Sequence, residues 1–239
     1  MYDSYVGVVR SQLNMISPEF WNFKSNQSYR AILEHVSVDQ GLQYMNLSEQ
    51  KVDLDDFVDT FAQNDKYGEP VRASLNRKGF ESTSPSNARY LYHSLLIKEH
   101  YEKFPTKNIV EIGGGFGGLC YFLKSMVDCN YHIFDLPDVM QLQERYLAAH
   151  NISCKFLDFN SELPDDFFLI SNYCYSEIPD KSIRDKYKKV IDKSSGGFML
   201  WNAPAMRNDV SLEETFGSRI IESRPENPLT GRGNLEIYW

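Results

Sequence analysis

The sequence predicts an α/β protein built on a largely parallel sheet and preceded by a mostly helical segment. Three observations carry that reading. The run Glu111-Ile112-Gly113-Gly114-Gly115-Phe116-Gly117-Gly118 is entered from the apolar Asn108-Ile109-Val110 and left through Leu119-Cys120-Tyr121-Phe122-Leu123, which reads as strand, glycine turn and helix. From about residue 107 onward, short apolar runs alternate with amphipathic ones, the pattern of a parallel sheet covered on both faces. Residues 1–104 instead carry helical apolar spacing.

In the first region the helical spacing covers Tyr29 to Val36, Val52 to Phe61 and Tyr90 to Tyr101. Ser84 can cap the last of these and Pro85 suits its first turn, with Leu91, Tyr92, Leu95 and Leu96 as the buried stripe. Residues 63–70 and 79–87 read as loops. The first strand is Asn108 to Ile112, followed by a helix from about Gly117 to Val127. The second strand, Tyr131 to Phe134, ends at Asp135, and Pro137 opens a helix through His150. The third, Cys154 to Leu157, ends at Asp158. The fourth, Phe167 to Ser171, runs into Asn172-Tyr173-Cys174-Tyr175-Ser176-Glu177 and a helix from about Lys181 to Ile191. The fifth, Gly197 to Trp201, ends near Asn202, and two closing strands cover Ser218 to Ser223 and Asn234 to Tyr238.

Composition bounds the function. With 239 residues and 42% hydrophobic content the chain can bury one sizeable domain and an added subdomain. No stretch approaches the roughly 18 apolar residues that cross a bilayer, and the first residues lack the regions of a signal peptide, so no membrane partner and a cytoplasmic location are expected. Cys120, Cys129, Cys154 and Cys174 are scattered, which implies neither a disulfide framework nor a zinc site, and no metal is expected. A net charge of -8 argues against a nucleic-acid partner. The basic run from Lys181 to Lys189 alternates with acids and reads as a solvated helix face.

The glycine turn carries the chemistry. Glycine lets a chain reverse in a small space and lets its amides approach a ligand closely. Gly113, Gly115 and Gly118 also satisfy the dinucleotide spacing G-x-G-x-x-G. Glu111 weighs against a dinucleotide, because a carboxylate at the tip of the first strand suits a cationic group and repels a pyrophosphate. Asp135 can accept from both ribose hydroxyls of either adenosine cofactor, or cap the next helix. Asp158 can take an adenine amino group with Phe159 on the base, or be an ordinary loop aspartate.

The pattern Glu-x-Gly-x-Gly-x-Gly resembles the first motif of the Rossmann-like methyltransferases, which use S-adenosylmethionine. Together with Phe134-Asp135-Leu136-Pro137, Leu169-Ile170-Ser171-Asn172, Ser176-Glu177, the upstream Asn64-Asp65-Lys66-Tyr67-Gly68-Glu69-Pro70 and Gly233-Asn234, it is similar to the putative sugar O-methyltransferase family. The resemblance spans about Asp65 to the end. It implies a seven-stranded sheet with helices on both faces and an antiparallel last strand, a helical cap over residues 1–104 and a methyltransferase domain over 105–239. It implies S-adenosylmethionine held by Glu111, Gly113, Gly115, Gly117, Asp135, Leu136, Asp158, Phe159 and Asn172, and methylation of a hydroxyl on a nucleotide sugar or glycan unit. Tyr67, Tyr173, Tyr175 and Asn202 are the expected acceptor contacts.

Methyl transfer to a hydroxyl needs alignment behind the methyl carbon and removal of a proton, for which a positioned base supplies roughly a hundred- to ten-thousand-fold. Glu177 is the carboxylate placed for that role, unless it only precedes the next helix. His93 and Asp65 are the alternatives from the helical region. Two rivals remain at this stage. A nicotinamide-dependent sugar oxidoreductase or epimerase would share the glycine turn but also needs a Tyr-x-x-x-Lys pair near the cofactor, and Tyr187-Lys188-Lys189 lacks that spacing. A non-catalytic cofactor-binding subunit would bind without turnover.

Overall fold

The computed structural model describes residues 2–202 and 210–239. The chain divides into two compact units: residues 1–96, 115–127 and 136–153 form one, and residues 97–114, 128–135 and 154–239 the other.

The first unit is helical. It contains α1 (Tyr2–Leu13), α2 (Gln27–Arg30), α3 (Val38–Glu49), α4 (Val58–Asn64) and the first part of α5 (Pro85–Tyr101), then α6 (Gly118–Met126) and α7 (Pro137–Ala149). Three of these begin for a local reason. Ser37 and Gln40 form a reciprocal capping box at α3, Gly117 caps α6 in the left-handed region at φ 98°, and Pro137 fits the first turn of α7. Helices α1 and α7 pack together, with Arg10 bonded to Asp138 at 2.9 Å and the Arg145 guanidinium donating to the carbonyls of Leu13 and Met15 at 2.8 Å. Two readings of this region change. The helix expected over Tyr29 to Val36 stops at Arg30, because Asn26 caps only one short turn and the chain then bends. Helix α3 was not foreseen, although its capping box is visible in the sequence.

The second unit holds the sheet: β1 (Asn108–Ile112), β2 (Asn130–Phe134), β3 (Lys155–Leu157), β4 (Phe168–Asn172), β5 (Gly196–Trp201), β6 (Glu222–Pro225) and β7 (Leu235–Tyr238). Their spatial order is β3-β2-β1-β4-β5-β7-β6. Strands β1 to β5 are parallel and β7 runs antiparallel to both neighbours. This is the seven-stranded α/β sheet that the sequence leads one to expect. The short α8 (Cys174–Glu177), α9 (Lys181–Lys193) and α10 (Leu212–Phe216) complete the unit. All six residues of β5 are buried, and a Cβ on Gly196 or Gly197 would lie 2.2 Å from the rings of Phe104 or Trp239. Glycine there lets two large rings pack on the strand. Strand β6 starts four residues later than expected, because Gly217–Arg219 forms a 3-10 turn behind α10. On α9, Lys181 pairs with Asp185 and Lys188 with Asp192 one turn apart, so the basic run is an ion-paired exposed face.

Among the described residues no helix is long and apolar enough to cross a membrane.

Candidate functional site

In an open parallel sheet, ligands bind beyond the carboxyl ends of the strands where the strand order reverses, which here lies between β1 and β4. Strand β1 brings Glu111 to that edge at 1% exposure, where it accepts a hydrogen bond from the Tyr131 hydroxyl at 2.9 Å. Burial pushes its carboxyl up to about 8; the Tyr131 bond opposes that shift and the nearby Asp135 charge adds to it. Among the described residues no basic side chain offsets that burial, which is costly for a carboxylate, and a cation arriving beside it would relieve the cost.

The backbone then turns left-handed at Gly113 (φ 81°), Gly115 (φ 59°) and Gly117 (φ 98°). Gly113 is held by its amide donating to the Phe134 carbonyl at 2.8 Å. A Cβ on Gly113 would lie 2.3 Å from Cβ and Sγ of Cys174, so no other residue fits. In the helical unit, Gly115 lies beside Leu33, and its carbonyl accepts from the Gln143 amide at 2.8 Å.

Asp135 is half-buried where β2 ends, and Leu136 follows it, 41% exposed at the start of α7. Beyond β3, Asp158 is committed to its own loop: Oδ1 accepts from the Asn160 amide at 2.9 Å and the Ser161 hydroxyl at 2.8 Å. The Ser161 bond holds its carboxyl below the usual range. Phe159 remains 43% exposed, stacked on Phe134 at 5.8 Å and edge-on to Tyr187 at 4.8 Å. That ring can receive a flat base even with Asp158 engaged elsewhere.

Strand β4 ends on Asn172, whose Oδ1 is buried with no hydrogen-bond partner among the described residues. Such an orphaned acceptor at a strand end is a vacancy for a donor. Tyr173 follows in the left-handed region at φ 64°, ψ -20°, held by its amide donating to the Leu200 carbonyl at 2.8 Å. A non-glycine residue there costs about 1–3 kcal/mol, which sites of function are known to store. The Tyr173 hydroxyl donates to Oε1 of Glu226. Glu226 is 3% exposed, and its Oε2 accepts from the Thr230 amide at 3.0 Å, the Thr230 hydroxyl at 2.6 Å and the Asn234 amide at 3.1 Å. Glu177 sits at the end of α8 and accepts from the Asn202 side chain, while the Asn202 amide is fixed by Ser176 Oγ at 3.1 Å. Desolvation raises the Glu177 carboxyl above its ordinary value, against the Asn202 bond.

Four of the expected site residues are buried among other side chains. Tyr175 is 4% exposed in the apolar core of the sheet unit, packed against Trp201 at 6.1 Å, so it offers an acceptor no surface. His93 is 3% exposed inside the helical unit, edge-on to Tyr44 at 5.5 Å, and burial together with Arg89 holds its imidazole well below the usual range. Asp65 is 2% exposed, with Oδ2 accepting from the Thr83 hydroxyl and the Ser84 amide at 2.8 Å, so it anchors the start of α5. Tyr67 is 5% exposed, edge-on to Trp21 at 6.5 Å and His150 at 5.2 Å. These last three all lie in the helical unit, where Asp65 Oδ1 is buried with no hydrogen-bond partner among the described residues.

Two groups escaped the sequence reading. Glu226 stands in no motif, although Gly233-Asn234 beside it had been noted. Lys24 is 1% exposed in the helical unit, with its ammonium 4.2 Å from the Phe116 ring and donating to the Asn64 carbonyl. Burial pushes it down to about 8, against the charges of Glu34 and Asp65. Among the described residues, no three His, Cys, Asp or Glu side chains converge as a metal site.

Sheet order and glycine turn together define an open α/β fold with a seven-stranded sheet. No family model matches the chain, and no curated protein does. Solved structures similar to it include a S-adenosylmethionine-dependent methyltransferase from Clostridium acetobutylicum (13% identity, 48% of this chain and 50% of that one, TM-score 0.40). Another is a SAM-dependent methyltransferase from Aquifex aeolicus (14%, 59% and 87%, TM-score 0.43). The mitomycin 7-O-methyltransferase MmcR is similar over 99% of this chain and 66% of its own, at 14% identity and TM-score 0.46. The chain thus spans half the length of the first of these and about two thirds of the last.

Proposed function

We propose that the chain is a S-adenosylmethionine-dependent O-methyltransferase acting on a sugar hydroxyl, borne by a nucleotide sugar or a glycan unit. One observation carries the reading: a buried carboxylate, Glu111, stands two residues ahead of a turn that only glycine can make at Gly113. An ammonium-bearing ligand answers that carboxyl by drawing it into its ionised form, whereas a pyrophosphate would push its titration higher still. Asn172 Oδ1 supplies a second vacancy for a donor, and Phe159 a face for the base. The bound cofactor supplies an electrophilic methyl group. Glu111 would hold its ammonium, Asp135 its ribose and Asn172 a further donor.

Glu177 is the proposed proton acceptor, since it lies past β4 on the carboxyl edge of the sheet and Asn202 fixes one of its oxygens. The rest of the acceptor's selection is assigned to the amino-terminal helical segment, the proposed substrate subdomain. Isothermal titration tests the cofactor: adenosylhomocysteine should bind and NAD or NADP should not. Binding of a dinucleotide without adenosylhomocysteine would overturn it.

A further inference from the structure

The helical unit carries a cavity of about 490 Å³, a size that suits a small ligand, and the chemistry assigned so far leaves it unused. One wall is the turn from Glu19 to Asn22 and the other the loop from Asp65 to Arg72. Both are held in place. The Trp21 indole donates to the Gln12 carbonyl at 3.1 Å, and the Lys24 amide donates to the Gly68 carbonyl at 2.8 Å, which ties the first stretch to the second. Gly68, at φ 88°, lets the loop seat on Phe23 and Lys24, where a Cβ would lie 2.9 Å from either side chain.

Three features of the lining select a ligand. Asp65 is 2% exposed, and its Oδ1 is buried with no hydrogen-bond partner among the described residues. Its Oδ2 is already engaged by Thr83 and Ser84, so the remaining oxygen calls for a partner from outside. Phe20 keeps 68% exposure beside the buried Trp21, an open aromatic face on which the C–H side of a sugar ring can lie. Acidic Glu19 and Glu69 are mixed with basic Lys66 and Arg72, so no single sign of charge is there to favour a phosphate or an ammonium. The Arg72 guanidinium donates to the Asp65 carbonyl at 2.9 Å and has further N–H groups for a ligand oxygen.

We propose that this cavity binds a sugar: a neutral polyhydroxylated ring lies on Phe20, gives one hydroxyl hydrogen to Asp65 Oδ1 and accepts from Arg72. A hydroxyl both donates and accepts, so one ring serves a lining of mixed sign. The site gives the helical unit its means of selecting the methyl acceptor, and for that role it rests on the transferase reading above.

The test uses the full chain with 15N at the tryptophan indoles. Trp21 lines the cavity, whereas Trp201 and Trp239 belong to the sheet unit, and the Trp21 signal is assigned by its loss in Trp21→Phe. Without cofactor, the methyl glycosides of glucose, galactose, mannose and fucose are titrated beside inorganic phosphate and tetramethylammonium. At least one glycoside should shift the Trp21 signal saturably with the other indoles unmoved, and neither ion should shift it. In Asp65→Asn the two donors on Oδ2 keep the amide oxygen there, so the amide nitrogen replaces Oδ1 and an acceptor becomes a donor. That variant should bind the glycoside about tenfold more weakly. Phe20→Ala removes an exposed ring, so it should weaken binding at an unchanged melting temperature and serves should Asp65→Asn fold poorly. In turnover on that glycoside, Phe20→Ala should raise KM and leave kcat and adenosylhomocysteine affinity near those of the parent. A Trp21 signal unmoved by every glycoside, moved as readily by either ion, or moved alike in the parent and in Phe20→Ala or a folded Asp65→Asn overturns the proposal, as does an unaltered KM. Failure of adenosylhomocysteine to bind the parent would strike the transferase reading instead, and the cofactor-free titration is read independently of it.

Discussion

Replacing Glu111 by glutamine should stabilise the empty protein and abolish its cofactor binding. The carboxyl is 1% exposed and titrates in the folded chain at about 8, against 4.5 for the free group. Between those values the folded state holds a proton that the unfolded state has lost, so the native form binds more protons. Stability therefore falls as pH rises through that window and levels off above it. The gap corresponds to about 5 kcal/mol at its full extent, an order-of-magnitude figure. Glutamine keeps the size and still accepts the Tyr131 hydrogen bond, but it does not titrate. Urea unfolding of parent and Glu111→Gln at about pH 5, 7 and 8.5 isolates the effect, because all other groups cancel in the difference. The variant's advantage should be small at the acid end and reach several kcal/mol at the alkaline end. Adenosylhomocysteine should narrow it by stabilising only the parent, with affinity rising toward pH 8 as the carboxyl ionises. A difference that does not change with pH, or a parent that gains on the variant as pH rises, would refute the reasoning.

Glu177→Gln should lower kcat about a hundredfold or more with adenosylhomocysteine affinity unchanged, whereas His93→Gln should leave kcat within a fewfold while lowering the melting temperature. Near-normal turnover in Glu177→Gln would move the base elsewhere. Gly113→Ala should cost about 3 kcal/mol or more, since the new methyl meets Cys174 at 2.3 Å in a left-handed backbone; a melting curve matching the parent would show that the turn can relax. Lys24→Met should destabilise by about 3 kcal/mol in urea, because Glu34 and Asp65 lose a buried cation and the Asn64 carbonyl one of its donors. No change in midpoint would mean that these charges are not coupled.

The legible parts of this chain are those with a local cause. Strand, glycine turn and helix at 108–126 follow from residue types alone, and Pro137 marks the start of α7 to the residue. Helix α5 shows the limit. From Leu91 to Ile97 every residue is buried, so no polar face records its rotation, and His93 could be read as facing a cleft when it faces the core. Tyr175 misled for a related reason: the turn that Tyr173 begins swings the next tyrosine, two residues on, back into the apolar cluster. Glu226 left no signal at all. An acidic residue between Pro225 and Asn227 looks like surface, and only the convergence of Thr230, Asn234 and Tyr173 makes it an interior group.

The glycine turn is usually thought of as a self-sufficient cassette, yet Phe116 in its middle is enclosed by distant chain. Its ring meets Phe23 at 5.5 Å, Tyr90 at 5.7 Å and Tyr146 at 5.0 Å, with the Lys24 ammonium at 4.2 Å. Those partners come from three separate stretches of sequence. A transplant of residues 108–126 into another α/β scaffold would carry the glycines but expose a bare phenylalanine between them. Shortening the chain by its first thirty residues would likewise strip two of the four contacts. The motif is therefore heritable only together with its helical surroundings, and changes at positions as remote as 23 and 24 should co-vary with what is tolerated at 116.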